Sequence, residues 1–512
     1  MNDTLQLSDL EILPVKTEAE IKDNETLSKG LIYDRDGSVI AKQESFTYDP
    51  NQTYSKTILP IQDDLGDWKT IYEVDKKDGI FKIAKYITEK YSVKTIGERR
   101  EREMYIYENG RYRLGANMLR AEIQSMLEEL ASSHLKNEVI EQIKDLSVTE
   151  RKEFNVESNL INIANGVLDI TTNSLLDHKN TYLFLHIIPV KYIPEADCPG
   201  IKKFLYEILN EEDVAIIQEW LGYALYRSYF IKKALILVGE RDTGKTTLIR
   251  LFSELLGKEN ISGVSLQRLV SDKFSAAHLF NKHINIYDDL SFKDVNDNGA
   301  FKIATGGGII TGEYKFGEQF QFENYSKLTF ACNKIPNVKD TNDDAYFNRW
   351  IIIPFNKTVL NPDKFLINKL TTPDELSGLL NFALSGLKRL LDNQEFSYKK
   401  EPDEIKTEML RSGSVIANFA YDCLEEKTDE WVSKDAMYST FVEYAKSHRL
   451  PVETINNLGK KLPQYATYIT DRKKQDTTTK QQITGWRNVQ IKADFISVEN
   501  LNSRDSIDIF NN

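Results

Sequence analysis

Cysteine is scarce in this chain: three in 512 residues, Cys198, Cys332 and Cys423. They lie far apart, with no CxxC spacing and no histidine companions. That excludes a disulfide framework and a structural zinc site, and it fits a reducing cytosol, so a cytoplasmic protein is expected. Long apolar runs are missing too. None approaches the ~20 residues a membrane span needs. The opening MNDTLQLSDLEILP has no basic segment followed by an apolar one, so neither a membrane anchor nor a signal peptide is expected. A surplus of positive charge is also absent: 66 Lys and Arg against 78 Asp and Glu give a net charge of −12. That excludes a protein coated in basic surface, but it leaves room for a basic channel or one basic module. What is present is 41% apolar and 11% aromatic residues, enough for several packed cores. The length suits about three or four domains.

The stretch ALILVGERDTGKTTLIRLFSELL, from Ala234 to Leu256, reads as strand, loop and helix. Ala234 to Val238 is a short apolar run of the kind found in buried parallel strands. Leu248, Leu251, Phe252 and Leu255 then recur at helical spacing, so one helix face packs on a sheet. Between them Gly239, Glu240, Arg241, Asp242, Thr243, Gly244, Lys245 and Thr246 match G-x-x-x-x-G-K-[ST], with Thr247 following. The two glycines let backbone N–H groups curl around a phosphate. Lys245 reaches the β/γ-phosphates and the Thr246 hydroxyl ligates Mg²⁺. ATP and Mg²⁺ are therefore the expected cofactors.

In chain order, residues 1–78 are polar and lack sustained periodicity, which reads as a partly disordered arm or a small appended element. Asp34-Arg35-Asp36 has the D-x-D form of metal-holding pairs, but a turn in YDRDGS is the plainer reading. From about Gly79 the pattern becomes regular. YITEKYSVKTIGERRERE is helix-like, and MYIYENGRYRLG alternates across Asn109-Gly110 as a hairpin. A helical stretch then runs through Leu119, Ile123, Met126 and Leu130, and NIANGVLDITTNSLL is hairpin-like about Asn165-Gly166. Residues 79–210 read as one small α/β domain. Arg99, Arg100 and Arg102 suit either nucleic acid or a solvated face interleaved with Glu98, Glu101 and Glu103.

The segment from Pro194 to Pro199 links this part to residues 211–395. There HINIY (His283 to Tyr287) ends in Asp288-Asp289, the position from which a nucleotide hydrolase holds Mg²⁺ and polarises water. Glu313 to Phe322 alternates as a hairpin arm with Lys315 and Phe316 near its tip. A cation beside a ring there suits single-stranded nucleic acid, though a plain surface hairpin has the same pattern. Lys327 to Ala331 is a further strand that delivers Asn333 to the nucleotide end of the sheet. Arg349 precedes a last apolar strand, where a ring ATPase carries the finger that completes a neighbour's site.

Taken together, GERDTGKT, IYDDL, the K-x-x-T-G-G segment from Lys302 to Gly307, the strand ending at Asn333, and Asp344 to Arg349 resemble a superfamily 3 helicase. The resemblance is to the plasmid, phage and virus primase C-terminal type, which includes the poxvirus-type helicase–primases. NLINIANGVLDI and YIPEADCPGIKKFL resemble the domain that precedes the motor in that family. The resemblance implies an AAA+-like parallel-sheet ATPase core and a homohexameric ring around single-stranded DNA, moving 3′→5′. It also implies Lys245 and Thr246 for phosphate and metal, and Asp288 and Asp289 for metal and water activation. Asn333 would be the γ-phosphate sensor, Arg349 the finger acting in trans, and Lys315 the pore-hairpin DNA contact. Two departures stand out. Thr305 is followed by three glycines where an acidic residue is common, and the N-terminus has no room for the primase domain of many relatives. A separate primase or polymerase is then an expected partner.

Residues 415–512 read as a winged helix: a helix through Met437, Phe441, Tyr444 and Ala445 capped by Ser433, a second over Thr454 to Leu462, then strand, basic loop and strand from Tyr468 to Lys492. Basic residues outnumber acids there, which points to duplex DNA with Lys473 and Lys474 as contacts. A protein-binding winged helix has the same elements. The chain thus reads as an ATP-driven DNA helicase of a viral, plasmid or integrated replicon. An origin-binding initiator and a primer-synthesising helicase–primase are the alternatives.

Overall fold

The computed structural model describes residues 4–6, 11–13, 26–33, 39–47, 53–55, 68–97, 102–272, 274–291, 298–315, 319–336, 340, 343–359, 363–475 and 481–495, those before residue 56 by backbone alone. Asp34-Arg35-Asp36, Arg99, Arg100 and Phe316 lie outside the described residues.

The chain divides into two compact units, residues 1–90 with 115–147, and residues 91–114 with 148–512. In the first, Thr26–Tyr33 pairs antiparallel with Val39–Thr47, so the N-terminal stretch holds strands despite its polar composition. Helices Lys76–Lys90 and Ser133–Leu146 bury Ile83 and Ile87, and Leu135, Val139 and Ile143, at helical spacing. This division cuts through the single α/β domain expected over 79–210. The helix-like reading from Tyr86 to Glu103 also needs correcting. The helix stops at Lys90, Ser92 turns the chain at φ 44°, and Lys94–Ile96 is a strand.

The second unit begins with that strand, Lys94–Ile96, which pairs with the first arm of the hairpin Glu103–Glu108 and Arg111–Leu114. The hairpin turns at Asn109 and Gly110 with φ of 50° and 83°. Both central residues need positive φ in a type I′ turn, so Asn-Gly is the reason for it. In the hairpin Leu160–Ile163 and Gly166–Asp169, Ile163 pairs with Gly166, so the turn residues are Ala164 and Asn165, one position earlier than the Asn-Gly pair suggests. Helices Pro199–Ile208 and Glu211–Leu225 follow, and Asn210 separates the halves of what reads as one helical run.

The centre of this unit is a five-stranded parallel sheet. Its elements are β1 (Ala234–Gly239), α1 (Lys245–Leu256), β2 (Ile261–Ser262), β3 (Ile284–Tyr287), α2 (Gly299–Ala304), the hairpin β4 (Ile309–Glu313) and β5 (Gln319–Glu323), β6 (Lys327–Cys332), α3 (Asp344–Phe347) and β7 (Trp350–Phe355). The spatial order is β2-β3-β6-β1-β7, so the phosphate-loop strand sits between two later strands, the AAA+-like layout expected. Strands β6 and most of β1 and β7 are buried, as a sheet covered on both faces requires. Strands β1 and β7 are almost continuously apolar, while β6 also buries Lys327 and Thr329. One polar tie crosses this core: Trp220 Nε1 donates to Thr329 Oγ1 at 2.9 Å. Another polar cluster lies at the start of β3. There His283 is fully buried, its Nδ1 bonded to the Ala224 carbonyl at 2.8 Å and its ring 4.3 Å from that of His186.

After the sheet come α4 (Val415–Cys423), β8 (Leu424–Ser433), α5 (Lys434–Ser447), α6 (Ile455–Tyr465), β9 (Thr470–Gln475) and β10 (Gln482–Ile491). Met437, Phe441, Leu458, Leu462, Trp486 and Val489 form their shared core, and Ser433 caps α5 by accepting from Ala436 N. The order α5, α6, β9, β10 is the one read from the sequence, whereas α4 and β8, which pairs with β10, are not part of that reading. Among the described residues no helix is long and apolar enough to cross a membrane.

Candidate nucleotide site and hairpin

The sheet register decides what meets at its carboxyl edge. Val238 is level with Cys332, and Tyr287 with Phe330. Gly239, Asn333, Asp288 and Asp289 therefore all leave the sheet at the same end, where ligands bind in open parallel sheets. Asp288, Asp289 and Asn333 are exposed there.

The loop between β1 and α1 follows from its glycines and one aspartate. Gly239 passes so close to β7 that a Cβ would meet the Phe355 carbonyl at 2.5 Å. Asp242 adopts φ 58° and its carbonyl accepts from Val359 N at 2.9 Å, which ties the loop to the chain after β7. Gly244 has φ 92°, and a side chain there would strike Ile208. No local pattern marks Ile208 as a support of the loop, because the contact joins residues from different elements.

Lys245 folds into the loop. Its ammonium donates to the carbonyl oxygens of Gly239 and Glu240, the latter at 2.6 Å, and lies 3.3 Å from Thr243 Oγ1. Burial lowers its pKa from the ordinary lysine value, with Cys332 and Glu240 opposing that shift. Cys332 is a buried free thiol, pushed up to about 12 by burial, so it stays neutral beside the lysine. Two cavities, of about 700 Å³ along Asp403 to Asn418 and about 580 Å³ at the base of the hairpin, lie away from this loop, whose interior the Lys245 side chain fills.

The residues suit a nucleoside triphosphate with Mg²⁺. Thr246 is exposed in the first turn of α1, Asp288 offers a carboxylate at the same edge, and the α1 N-terminus favours phosphate. Mg²⁺ takes one or two protein ligands and completes its shell with phosphate oxygens and water, so this sparse donor set is appropriate.

Arg349 stands at the other end. Ala234 pairs with Trp350 and donates to the Arg349 carbonyl at 2.6 Å. The length of β1 therefore separates Arg349 from the loop of its own chain, roughly 20 Å at 3.3 Å per residue. Its Nη1 donates to the Ala345 carbonyl, while its buried Nε has no hydrogen-bond partner. Burial lowers its pKa from the ordinary value, against the pull of Asp343.

The hairpin β4–β5 has Glu313 and Gln319 as its last pair, and Lys315, exposed, lies just beyond it at the tip. A row of rings runs from the tip down β5. Tyr314 stacks on Phe320, Phe320 on Phe322, and the Arg151 guanidinium lies 5.0 Å from the Phe320 ring.

Lys473 and Lys474 are both exposed on β9, but adjacent strand residues face opposite ways. Lys474 lies 5.8 Å over the Trp431 ring, beside Gly485, whose Cβ would meet the Trp431 indole at 2.4 Å. They cannot act as one contiguous patch on one face. The loop after β9 lies outside the described residues.

Residues 51–210 match the family described as D5 N terminal like, and residues 237–349 match a family of unknown function, DUF5906. No curated protein gives a match. Among solved structures, an apo structure of the NrS-1 C terminal region shares 13% identity at a TM-score of 0.43, with 83% of this chain and 100% of that chain covered. An A form apo structure of the same region shares 12% identity at a TM-score of 0.44, covering 82% and 100%. Likenesses this distant bear on neither mechanism nor partners. The chain carries a D5 N-terminal-like region ahead of its phosphate-loop sheet, consistent with the primase C-terminal, superfamily 3 helicase family that its motifs resemble.

Proposed function

We propose that this protein is an ATP-driven DNA helicase that serves replication of a viral, plasmid or integrated element as a homohexameric ring. The observation that carries the reading is the division of residues between the two ends of the sheet. Lys245, Thr246, Asp288, Asp289 and Asn333 share the carboxyl edge, and Arg349 is held at the opposite edge, out of reach of its own loop. A site split this way is completed by a neighbour, and repeated head-to-tail contacts close into rings.

ATP with Mg²⁺ then sits between subunits. Lys245 holds the β/γ-phosphates, Thr246 and Asp288 hold the metal, and Asp289 with Asn333 orients the attacking water. Arg349 of the next subunit balances the charge that develops on the transferred phosphoryl group. When bound, Mg²⁺ supplies charge neutralisation at the phosphates. Hydrolysis moves the hairpin, and Lys315 carries the strand by its phosphates. The C-terminal elements, read as a winged helix, bind duplex.

The reading is tested by forked-duplex unwinding with ATP. Wild type should unwind. Lys245→Ala should lower ATP hydrolysis on the order of a hundredfold or more. Lys315→Ala should hydrolyse without unwinding. A wild type that hydrolyses ATP and binds DNA as a ring, yet never separates strands, would give preference to an origin-binding initiator.

A further inference from the structure

Resting on the reading of Arg349 as the finger and Lys315 as the strand contact, we infer that Lys302 and Asp343 form a latch that couples the hairpin to the finger within one subunit, with Lys302 as a positioning residue for Arg349.

Lys302 and Phe301 are neighbours on α2, and they hold the two ends of the segment that presents Arg349. Lys302 Nζ donates to Asp343 Oδ2 at 2.8 Å. The other Asp343 oxygen caps α3, accepting from Tyr346 N at 3.1 Å. Asn298 Nδ2 adds a longer bond to Asp343 Oδ2 at 3.3 Å. On the far side of Arg349, Trp350 stacks on Phe301 with ring centroids 4.7 Å apart and planes 15° from parallel. Arg349 is thus bracketed by a charged contact before it and a ring contact after it, both made by one turn of α2.

The same helix leads into the hairpin. Thr305, buried, ends α2 by donating to the Phe301 carbonyl at 2.7 Å, and Gly306 to Gly308 carry the chain to β4. Asn324, at the far end of β5, donates to the Ala304 carbonyl at 2.7 Å. Both strands of the hairpin are therefore fastened to α2, so a hairpin that shifts with a DNA strand carries α2 with it. The Asp343 carboxylate is only 11% exposed, and burial works against its charge. The Lys302 and Asn298 bonds outweigh burial and hold its pKa below the usual value, so the pair remains ionic. This gives the K-x-x-T spacing a mechanical meaning: the lysine reaches the finger segment, and the threonine closes the helix before the hairpin.

The test compares ATP hydrolysis with and without single-stranded DNA for the full chain, for Lys302→Asp, for Asp343→Lys and for the double reversal, with thermal midpoints as the folding control. Expected are DNA-stimulated turnover in wild type, loss of the stimulation ratio on the order of tenfold in each single variant, and its partial recovery in the double, which restores the ion pair but not the Asp343 cap on α3. Lys302→Met, which removes the charge without adding a repulsive one, should lose stimulation through kcat more than through KM. Single variants that keep the wild-type ratio would overturn the latch while leaving the helicase reading intact. So would a double variant that melts like wild type but stays unstimulated. A wild type with no DNA-stimulated hydrolysis would bring down the helicase reading and the latch together.

Discussion

Lys245 is bent into the loop, its ammonium satisfied by backbone carbonyl oxygens, and under the proposed function this is the pose in which it meets a nucleotide. Phosphate oxygens replace neutral acceptors with charged ones, so binding strengthens bonds whose geometry is half formed. A different residue governs acid sensitivity. His283 is fully buried, and burial pushes its pKa down from 6.5 to about 3, with Arg227 and Lys327 adding to the shift against the Ala224 bond. His186, also buried, is lowered for the same leading reason. In the folded chain His283 stays neutral, while in the unfolded chain it takes a proton below its ordinary pKa. Stability is thus fully present above about pH 6.5 and is lost as the pH falls from there toward 3. At pH 5 its share of the loss is about 2 kcal/mol. Urea midpoints measured at pH 7 and pH 5 should differ for wild type, and His283→Phe should narrow the gap. An unchanged gap would show that other groups set the acid limit.

Among the elements, the hairpin and its glycine lead-in separate what was legible in the sequence from what was not. A hairpin with Lys315 at its tip was legible. The stretch Glu313 to Phe322, read as one arm, contains the turn and most of β5, while β4 lies almost wholly before it. Alternation is a local property and does not mark where a strand reverses. The role of the three glycines was not legible. Gly307 alone among them has a positive φ, 65°, and a Cβ there would meet the Tyr229 carbonyl at 3.0 Å. At Gly308 the nearest atom is 3.6 Å away, an ordinary contact. Gly307→Ala should therefore cost about 1–2 kcal/mol, while Gly308→Ala should be near neutral. Paired thermal melts check this, and equal costs would refute the assignment. Helix ends and long-range partners escaped for one physical reason: they depend on contacts between distant positions. The run after Tyr86 keeps a helical look, yet Val93 and Ile96 are buried through a strand that pairs with Glu103 to Tyr105. Lys473 and Lys474, read as DNA contacts, are adjacent in sequence, and the strand sends them to opposite faces.

At the scale of the whole molecule, the order of motifs was legible because each sits at a strand end, and strand ends in a parallel sheet fall at fixed edges. What the order could not supply is which subunit uses which residue. The register gives a distance, Arg349 lying a full strand from its own phosphate loop, roughly 20 Å, and this supports the proposed finger acting in trans. If the finger acts in trans, Lys245→Ala and Arg349→Ala damage different halves of each site. Each variant alone should be inactive in ATP hydrolysis. When the two are mixed so that rings assemble at random, a site is intact wherever an Arg349→Ala subunit supplies its Lys245 to a Lys245→Ala neighbour that supplies its Arg349. That happens at about a quarter of the interfaces of a head-to-tail ring. Hydrolysis should therefore reappear on mixing, toward about a quarter of the wild-type rate if sites fire independently. A finger acting in cis would give no recovery at any mixing ratio, since no subunit would hold both residues. Activity that returns on mixing and vanishes on dilution would tie the site to the assembled ring.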